Sequence, residues 1–363
     1  MRPLKEQYDI FFFFPYYHIG GAEKVHYQII QSIPNKKVVI YFTKKSSAKD
    51  YYMQFEMANC TIKDISKYTD NKWLYWLNVL YRGIISSYIN AQHNAPNIFN
   101  GQCNFGYKLA PWINKGVKQI ELIHALNSFS IIRIPYLNYY TQSITVAQSI
   151  IALHTQLYQH IKVPQKYTNA MQYIESKVIL PTVPITKKIT ETIHILYVGR
   201  STSEKRAYLI PRIAEQLQHY TSITFTIISD YTYTGTASNI NVVGTITNAD
   251  MLNAYYTQSH IVLIPSSTES GPLVLLEAMS NSCVVIGTPV GLIPKYIHNG
   301  TNGYCIQELT DDDAVVNQMT RAILNYTQAN YQYKIAIHDA ASATAYTHFD
   351  MKVFTQYYQK LLA

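Results

Sequence analysis

Charge is scarce in this chain: 14 % of its 363 residues are Asp, Glu, Lys or Arg, and acidic side chains are the rarer sign, 22 against 30 basic. The formal charge of +8 and a pI near 9.0 favour anionic partners, such as a nucleotide diphosphate or an anionic membrane surface. No basic run or nucleic-acid motif accompanies the surplus, so nucleic acid is not expected as a partner. Cysteine is sparse as well. Cys60, Cys103, Cys283 and Cys305 show neither metal-ligand spacing nor a paired pattern, which argues against a zinc site or a disulfide framework. Free thiols in a reducing compartment are expected, hence a cytoplasmic protein, free or at the cytoplasmic face of a membrane. Long apolar runs are missing too. The run Ile10 to Phe14 stops at Pro15, which suits a core strand and not a signal peptide or anchor, and no stretch is apolar enough to span a bilayer.

What is present in quantity is aromatic: 33 Tyr in a chain of 41.7 kDa, long enough for two domains with separate cores. The richest functional signal lies in residues 261–303. Ile261 to Ile264 is a short apolar run ended by Pro265, the signature of a buried parallel strand emptying into a loop. Ser270 or Gly271 is placed to cap a helix, Pro272 suits its first turn, and Leu273, Leu276, Ala278 and Met279 supply its apolar face. Glu269 therefore stands at the helix mouth and Glu277 along the helix. At about 1.5 Å rise per residue, Gly271 to Glu277 spans roughly 9 Å, comparable to the ribose-to-hexose distance in a nucleotide diphosphate sugar. First-turn amides between the two carboxylates offer donors to a diphosphate or a hydroxyl.

This stretch resembles the donor-binding signature of the GT-B glycosyltransferases, specifically the retaining family 4, whose Glu, seven residues, Glu pattern matches Glu269 and Glu277. The resemblance implies an α/β fold with two Rossmann-like doubly wound parallel-sheet domains facing a cleft. Residues 1–183 form the expected acceptor-side domain, 184–345 the nucleotide-sugar domain, and 346–363 a C-terminal helix crossing back to the first. It also implies that Glu269 contacts the donor sugar's hydroxyls and Glu277 the ribose hydroxyls, while Gly271, Pro272 and Leu273 lend backbone to sugar and phosphate. Ser270, Gly271, Pro272 stands where relatives often carry Gly-Phe-Gly, and a common Gly-Gly pair reads Gly291, Leu292.

Other segments extend the resemblance. Gly199 and Arg200, followed by Lys205, are similar to the family's basic pattern at the start of the second domain, where a guanidinium fork and an ammonium suit a diphosphate leaving group. Arg206, next to Lys205, is an alternative in that role. Gly20, Gly21, Ala22, Glu23 resembles the N-terminal glycine loop near donor phosphate and acceptor. His124, beyond the carboxyl end of the strand Val117 to Ile123, matches a histidine that contacts donor sugar. A tight strand-to-helix turn and a satisfied core histidine are the plain alternatives for these two features.

The implied reaction moves a sugar from a nucleotide-diphosphate sugar to a glycan or lipid-linked glycan. It needs no cofactor and no metal, and the leaving phosphate serves as base for an acceptor attacking from the same face. Consistent with that, no Ser-His-Asp or Cys-His set is well placed. Asp311, Asp312 and Asp313 read as an acidic helix start. A phosphorylase, an epimerase or hydrolase of nucleotide sugars, and a non-catalytic binding protein of the same fold stay open. The aromatic stretch 71–89 is expected to be helical with a break at Arg82 and Gly83, either as core or lying on a membrane surface. Ser143 to Ile151 is expected to hold the last strand of the first domain, and two prolines between Lys177 and Thr190 mark the domain boundary.

Overall fold

The computed structural model describes residues 6–18, 20–58 and 60–363. The chain divides into two compact units, one holding the residues up to Glu175 together with Lys352–Ala363, the other Ser176–Met351. The division falls at 175/176, ahead of the expected 183/184, because the segment between is fastened to the second unit. The Val178 amide donates to the Phe349 carbonyl at 3.0 Å and the Tyr346 hydroxyl to the Pro181 carbonyl at 2.6 Å.

Among the described residues the first unit contains β1 (Ile10–Phe14), β2 (Val38–Phe42), β3 (Thr61–Asp64), β4 (Asn97–Asn100), β5 (Lys118–Ile123), β6 (Gln142–Thr145) and β7 (Met171–Tyr173). They form one sheet in the order β3-β2-β1-β4-β5-β6-β7, parallel throughout. A central parallel strand is covered on both faces, so β1 reads as an unbroken apolar run in place of an alternation. Phe11 to Phe14 are completely buried, Phe12 lying between Ile40 and Phe99 on the flanking strands. Each such ring contributes about 1.5–3 kcal/mol relative to exposure.

Three expectations change here. β6 is not the last strand of this unit, because the three-residue β7, too short and polar to show a pattern, adds an edge beyond it. The aromatic stretch is not broken at Arg82 and Gly83: a 3-10 turn at Lys72–Leu74 leads into a continuous helix Tyr75–Asn90. Arg82 is buried there without interrupting it, since its guanidinium donates to the Tyr75 hydroxyl at 3.2 Å and lies 5.5 Å from the Trp112 ring. Residue 346 falls inside the helix Tyr331–His348, and the final helix is the shorter Met351–Leu361. That last helix lies against the first sheet through Phe354 and Tyr358, and its Leu361 carbonyl accepts the Lys118 ammonium at 2.7 Å.

In the second unit, β8 (Ile193–Val198), β9 (Ile223–Ile228), β10 (Ile240–Val242), β11 (Ile261–Ile264), β12 (Val284–Gly287) and β13 (Gly303–Cys305) pair in the order β10-β9-β8-β11-β12-β13, again all parallel. β8, β9 and β11 occupy the residues expected from their apolar runs. In each sheet the direction of growth reverses once, between β1 and β4 in the first and between β8 and β11 in the second. Loops leaving the carboxyl ends of such a strand pair diverge to opposite faces and open a crevice. That geometry selects where to look for function.

Candidate active site

At the second reversal, β8 runs into Gly199 and a loop carrying Arg200 and Lys205, while β11 runs into the loop that carries Glu269. Three contacts hold the first loop. The Tyr197 hydroxyl donates to the carbonyls of Arg200 at 3.1 Å and Lys205 at 3.4 Å, and the Ser201 amide donates to Asp230 at 2.6 Å. Burial, then the nearby Glu269, Asp230 and Glu204 carboxylates, push the Tyr197 phenol up, so it remains a neutral donor. The Ser267 amide donates to the Glu204 carbonyl at 2.8 Å and so ties the two loops together.

Across that tie, the Lys205 ammonium donates to Glu269 Oε1 at 2.6 Å, and the buried Ser266 hydroxyl donates to the same oxygen at 2.9 Å. Glu269 Oε2 has no hydrogen-bond partner among the described residues, which leaves one carboxylate oxygen for an outside donor. Ser266 is itself pinned, its carbonyl accepting the Thr288 hydroxyl at 2.5 Å. Gly291 closes the arrangement. Its φ of +57° is the left-handed region, and a Cβ there would fall 2.9 Å from the Ser270 carbonyl oxygen and 3.0 Å from both Glu269 Cβ and Pro272 Cδ. Only glycine lets the Glu269–Pro272 backbone approach this closely, so Gly291 is a glycine the loop itself requires.

The helix after this loop begins at Leu273, with Pro272 as its N-cap residue and no side chain capping it, in place of a cap by Ser270 or Gly271. A proline has no side-chain acceptor, so the first-turn amides next to Gly271 are left for an external acceptor. Farther along, Glu277 Oε2 accepts the hydroxyl of the fully buried Tyr256 at 2.9 Å. Burial and the adjacent Glu277 carboxylate push that phenol well up, so Tyr256 stays a donor. Tyr256 is fixed in turn by Lys187, whose buried ammonium donates to the carbonyls of Tyr256, Thr257 and Ser259 at 3.1, 3.0 and 2.8 Å and closes the C-terminal end of the helix Ala249–Gln258.

The structure thus brings Lys205 and Glu269 into direct contact and holds Glu277 separately on Tyr256. Arg200 stands outside that pair, with its exposed guanidinium 3.8 Å from Glu204, an arrangement of little intrinsic strength. Arg206 is committed elsewhere, to the Leu309 carbonyl at 2.7 Å and the Asp312 carboxylate at 3.3 Å, so Lys205 is the cation facing Glu269. Asp311 caps the helix Asp312–Gln328 by accepting the Asp313 and Ala314 amides, as its acidic run suggested.

The remaining candidates lie in the first unit. Gly20 caps the helix Gly21–Gln31 in an extended conformation that any residue adopts, and a Cβ at Gly21 would meet nothing. Packing therefore does not demand glycine at 21, whereas a Cβ at Gly20 would collide with the Glu23 carboxylate, which lies over the helix start. His124 Nε2 lies 2.8 Å from His26 Nε2, and His26 is stacked on Phe14 with ring centroids 3.9 Å apart. Gln102, held at a φ of +55°, accepts the His124 amide at 2.8 Å and donates to the Ala125 carbonyl at 2.8 Å. Burial depresses both imidazoles, with His124 adding to the shift at His26, and His124 is pushed down to about 4. Both rings are neutral near pH 7, one donating its N–H to the other, and His124 offers a polar contact without charge. Its partner His26 was not visible in the sequence, because the contact spans 98 residues.

Residues 192–325 match the family described as Glycosyl transferases group 1, which contains every candidate of the second unit. An uncharacterized 41.2 kDa protein in the cps region of Klebsiella pneumoniae is 30 % identical over 141 residues, 38 % of each chain. The chain therefore spans well under half the length of that relative. The crystal structure of the Anabaena protein HepE in complex with UDP is similar over 98 % of this chain and 99 % of its own, with a TM-score of 0.73 at 13 % identity, and HepE has also been solved with UDP-glucose. The lipopolysaccharide outer core galactosyltransferase WaaB in its apo form gives a TM-score of 0.67 at 15 % identity over 96 % of each chain. These likenesses show the GT-B fold, and the resemblance to group 1 glycosyltransferases holds over residues 192–325.

Proposed function

We propose that the chain is a retaining, metal-independent glycosyltransferase that moves a hexose-type sugar from a nucleotide-diphosphate sugar to a glycan or lipid-linked acceptor. The observation that carries this reading is the Lys205–Glu269 contact at the β8/β11 reversal, inside the stretch that matches the group 1 family. Breaking a glycosyl phosphate bond builds charge on the departing diphosphate, and cations aimed at it lower the barrier. Lys205 and Arg200 supply that charge, and the uncapped amides of Gly271 and Leu273 supply neutral donors. Glu269 Oε2 accepts a sugar hydroxyl, and Glu277 accepts the ribose hydroxyls. In transfer with retention, the bond from the anomeric carbon to the leaving oxygen breaks as the acceptor oxygen bonds on the same face. The acceptor's proton passes to the departing phosphate. His124, neutral and backed by His26, is assigned a hydrogen bond to the donor sugar.

The complexes of HepE make UDP-glucose the first donor to assay and UDP the first product to test for binding. WaaB, similarly, makes a lipopolysaccharide-type glycan a first acceptor class. The test is transfer from a panel of nucleotide sugars, with the anomeric configuration of the product read by NMR. The proposal expects product of unchanged configuration in the presence of EDTA. Inverted product, or turnover abolished by EDTA and restored by a divalent cation, would contradict it.

A further inference from the structure

The first unit also carries a charged feature to which the neutral histidine pair does not contribute. An open cleft of about 660 Å³ is walled by Lys44, Lys45, Lys67, Lys72 and Lys108, which come from three separate stretches of chain. Its one carboxylate, that of Asp70, already accepts the Lys45 amide at 3.0 Å. Among the described residues none of these five ammonium groups forms a salt bridge. Four of them lie over rings instead: Lys44 5.3 Å from Phe129, Lys67 5.9 Å from Tyr68, Lys72 5.5 Å from Trp73 and Lys108 5.2 Å from Tyr75. Like charges gathered around one recess repel one another, and a bound anion relieves that repulsion. The volume lies within the range of small-molecule sites and leaves ample room for a diphosphate.

Beside this cleft the chain exposes large apolar side chains. Trp73 and Trp76 are 82 % and 62 % exposed and Leu80 49 %. They sit at positions three and four residues apart, so they share one side of the segment running from the turn Lys72–Leu74 into the helix Tyr75–Asn90. Indoles flanked by lysines are the composition that seats a protein at the headgroup level of an anionic bilayer.

We propose that the lysine cleft binds the diphosphate of a lipid-borne acceptor, with Trp73, Trp76 and Leu80 seated in the bilayer surface beside it. The word acceptor rests on the glycosyl-transfer reading, whereas the binding claim does not. A soluble sugar phosphate shares the anion chemistry but has no use for the apolar rim, so the source is decided by comparing two probes. Inorganic pyrophosphate and farnesyl diphosphate are titrated calorimetrically at low ionic strength into the wild type, Lys67→Ala/Lys108→Ala and Trp73→Ser/Trp76→Ser. The lysine variant is expected to bind pyrophosphate roughly tenfold more weakly or worse. Farnesyl diphosphate is expected to bind the wild type at least about tenfold more tightly than pyrophosphate, with the tryptophan variant erasing that difference and leaving pyrophosphate binding alone. Equal pyrophosphate affinity in the wild type and the lysine variant overturns the anion site. Equal affinity for both probes, or a difference that survives loss of the indoles, overturns the lipid-borne assignment. A parallel titration of nucleoside diphosphate reports on the second unit, so failure of this site and failure of the donor reading are distinguishable.

Discussion

Gly291→Ala isolates the packing on which the Glu269–Pro272 loop depends. The new methyl meets two costs. An L side chain at φ +57° carries about 1–2 kcal/mol of backbone strain, and contacts at 2.9–3.0 Å with the Ser270 carbonyl, Glu269 Cβ and Pro272 Cδ force the loop outward. Overpacking of this kind costs typically another ~1–3 kcal/mol, because the neighbours are backbone and a proline ring and cannot rotate aside. Gly244 is the control. It has a φ of +83°, yet a Cβ there meets nothing within 4 Å, so Gly244→Ala carries the strain without the collision. The difference between the two variants measures the collision alone. Gly291→Ala should unfold with a Tm about 2–4 °C below that of Gly244→Ala for each kcal/mol of difference. Turnover is the sharper readout. Displacing Glu269 by a few tenths of an ångström spoils the geometry that the proposed contact to a sugar hydroxyl needs, and kcat/KM for the donor should fall about tenfold or more, against less than about threefold for Gly244→Ala. If both variants lose the same stability and keep the same kcat/KM, the loop does not depend on this contact and the reasoning fails.

Other outcomes follow from the same structure. Glu269→Gln and Lys205→Met each remove one charged hydrogen-bonding group, and each should lower kcat/KM roughly ten- to hundredfold with a cooperative melt retained; wild-type rates in both would remove them from the site. In the second unit, burial holds His260 down at about 4 and His338 at about 3, with Lys187 nearby adding to both shifts. Each is neutral in the fold, so below about pH 6.5 the unfolded chain takes up protons that the folded chain refuses. Stability should therefore drop by up to about 1.4 kcal/mol per pH unit per histidine from about pH 6.5 towards pH 4, and urea midpoints that stay level between pH 7 and 5 would refute it. In the first unit, fully buried Arg133 donates through Nε to Glu121 at 2.9 Å, so Arg133→Met strands a buried carboxylate and should cost about 3–5 kcal/mol in urea denaturation. Adding Glu121→Leu should recover much of that loss, and a double variant no better than the single would show that the charge was not the cause.

The parts of this protein legible in its sequence are those where local chemistry decides structure. Ile261–Ile264 is a central strand whose unbroken apolar run is dictated by burial on both faces, and Ile193–Val198 and Ile223–Ile228 are apolar apart from the exposed His194 and the half-buried Thr224 and Thr226. Thr61–Asp64, Met171–Tyr173 and Ile240–Val242 escaped notice because edge strands of three or four residues are half solvated and leave no period to read. The same division holds for the candidate residues of each unit. Glu269, Glu277, Arg200 and Lys205 stand out by spacing, whereas Tyr256, Lys187 and His26 act through contacts between distant segments, and Gly291 matters because of what a Cβ would strike. The lysine cleft was hidden for the same reason. Its five ammonium groups are unremarkable in three short stretches and meaningful only once β2 and the helices after β3 and β4 bring them to one recess.

The central claim is that a nucleoside diphosphate is gripped at the reversal between β8 and β11, and isothermal titration with a panel of nucleoside diphosphates tests it without any acceptor. At least one of them should bind the wild type with one molecule per chain, and roughly tenfold more weakly when Lys205 is changed to Ala or Glu277 to Gln. Absence of binding across the whole panel, or affinities unmoved by both substitutions, would contradict the account.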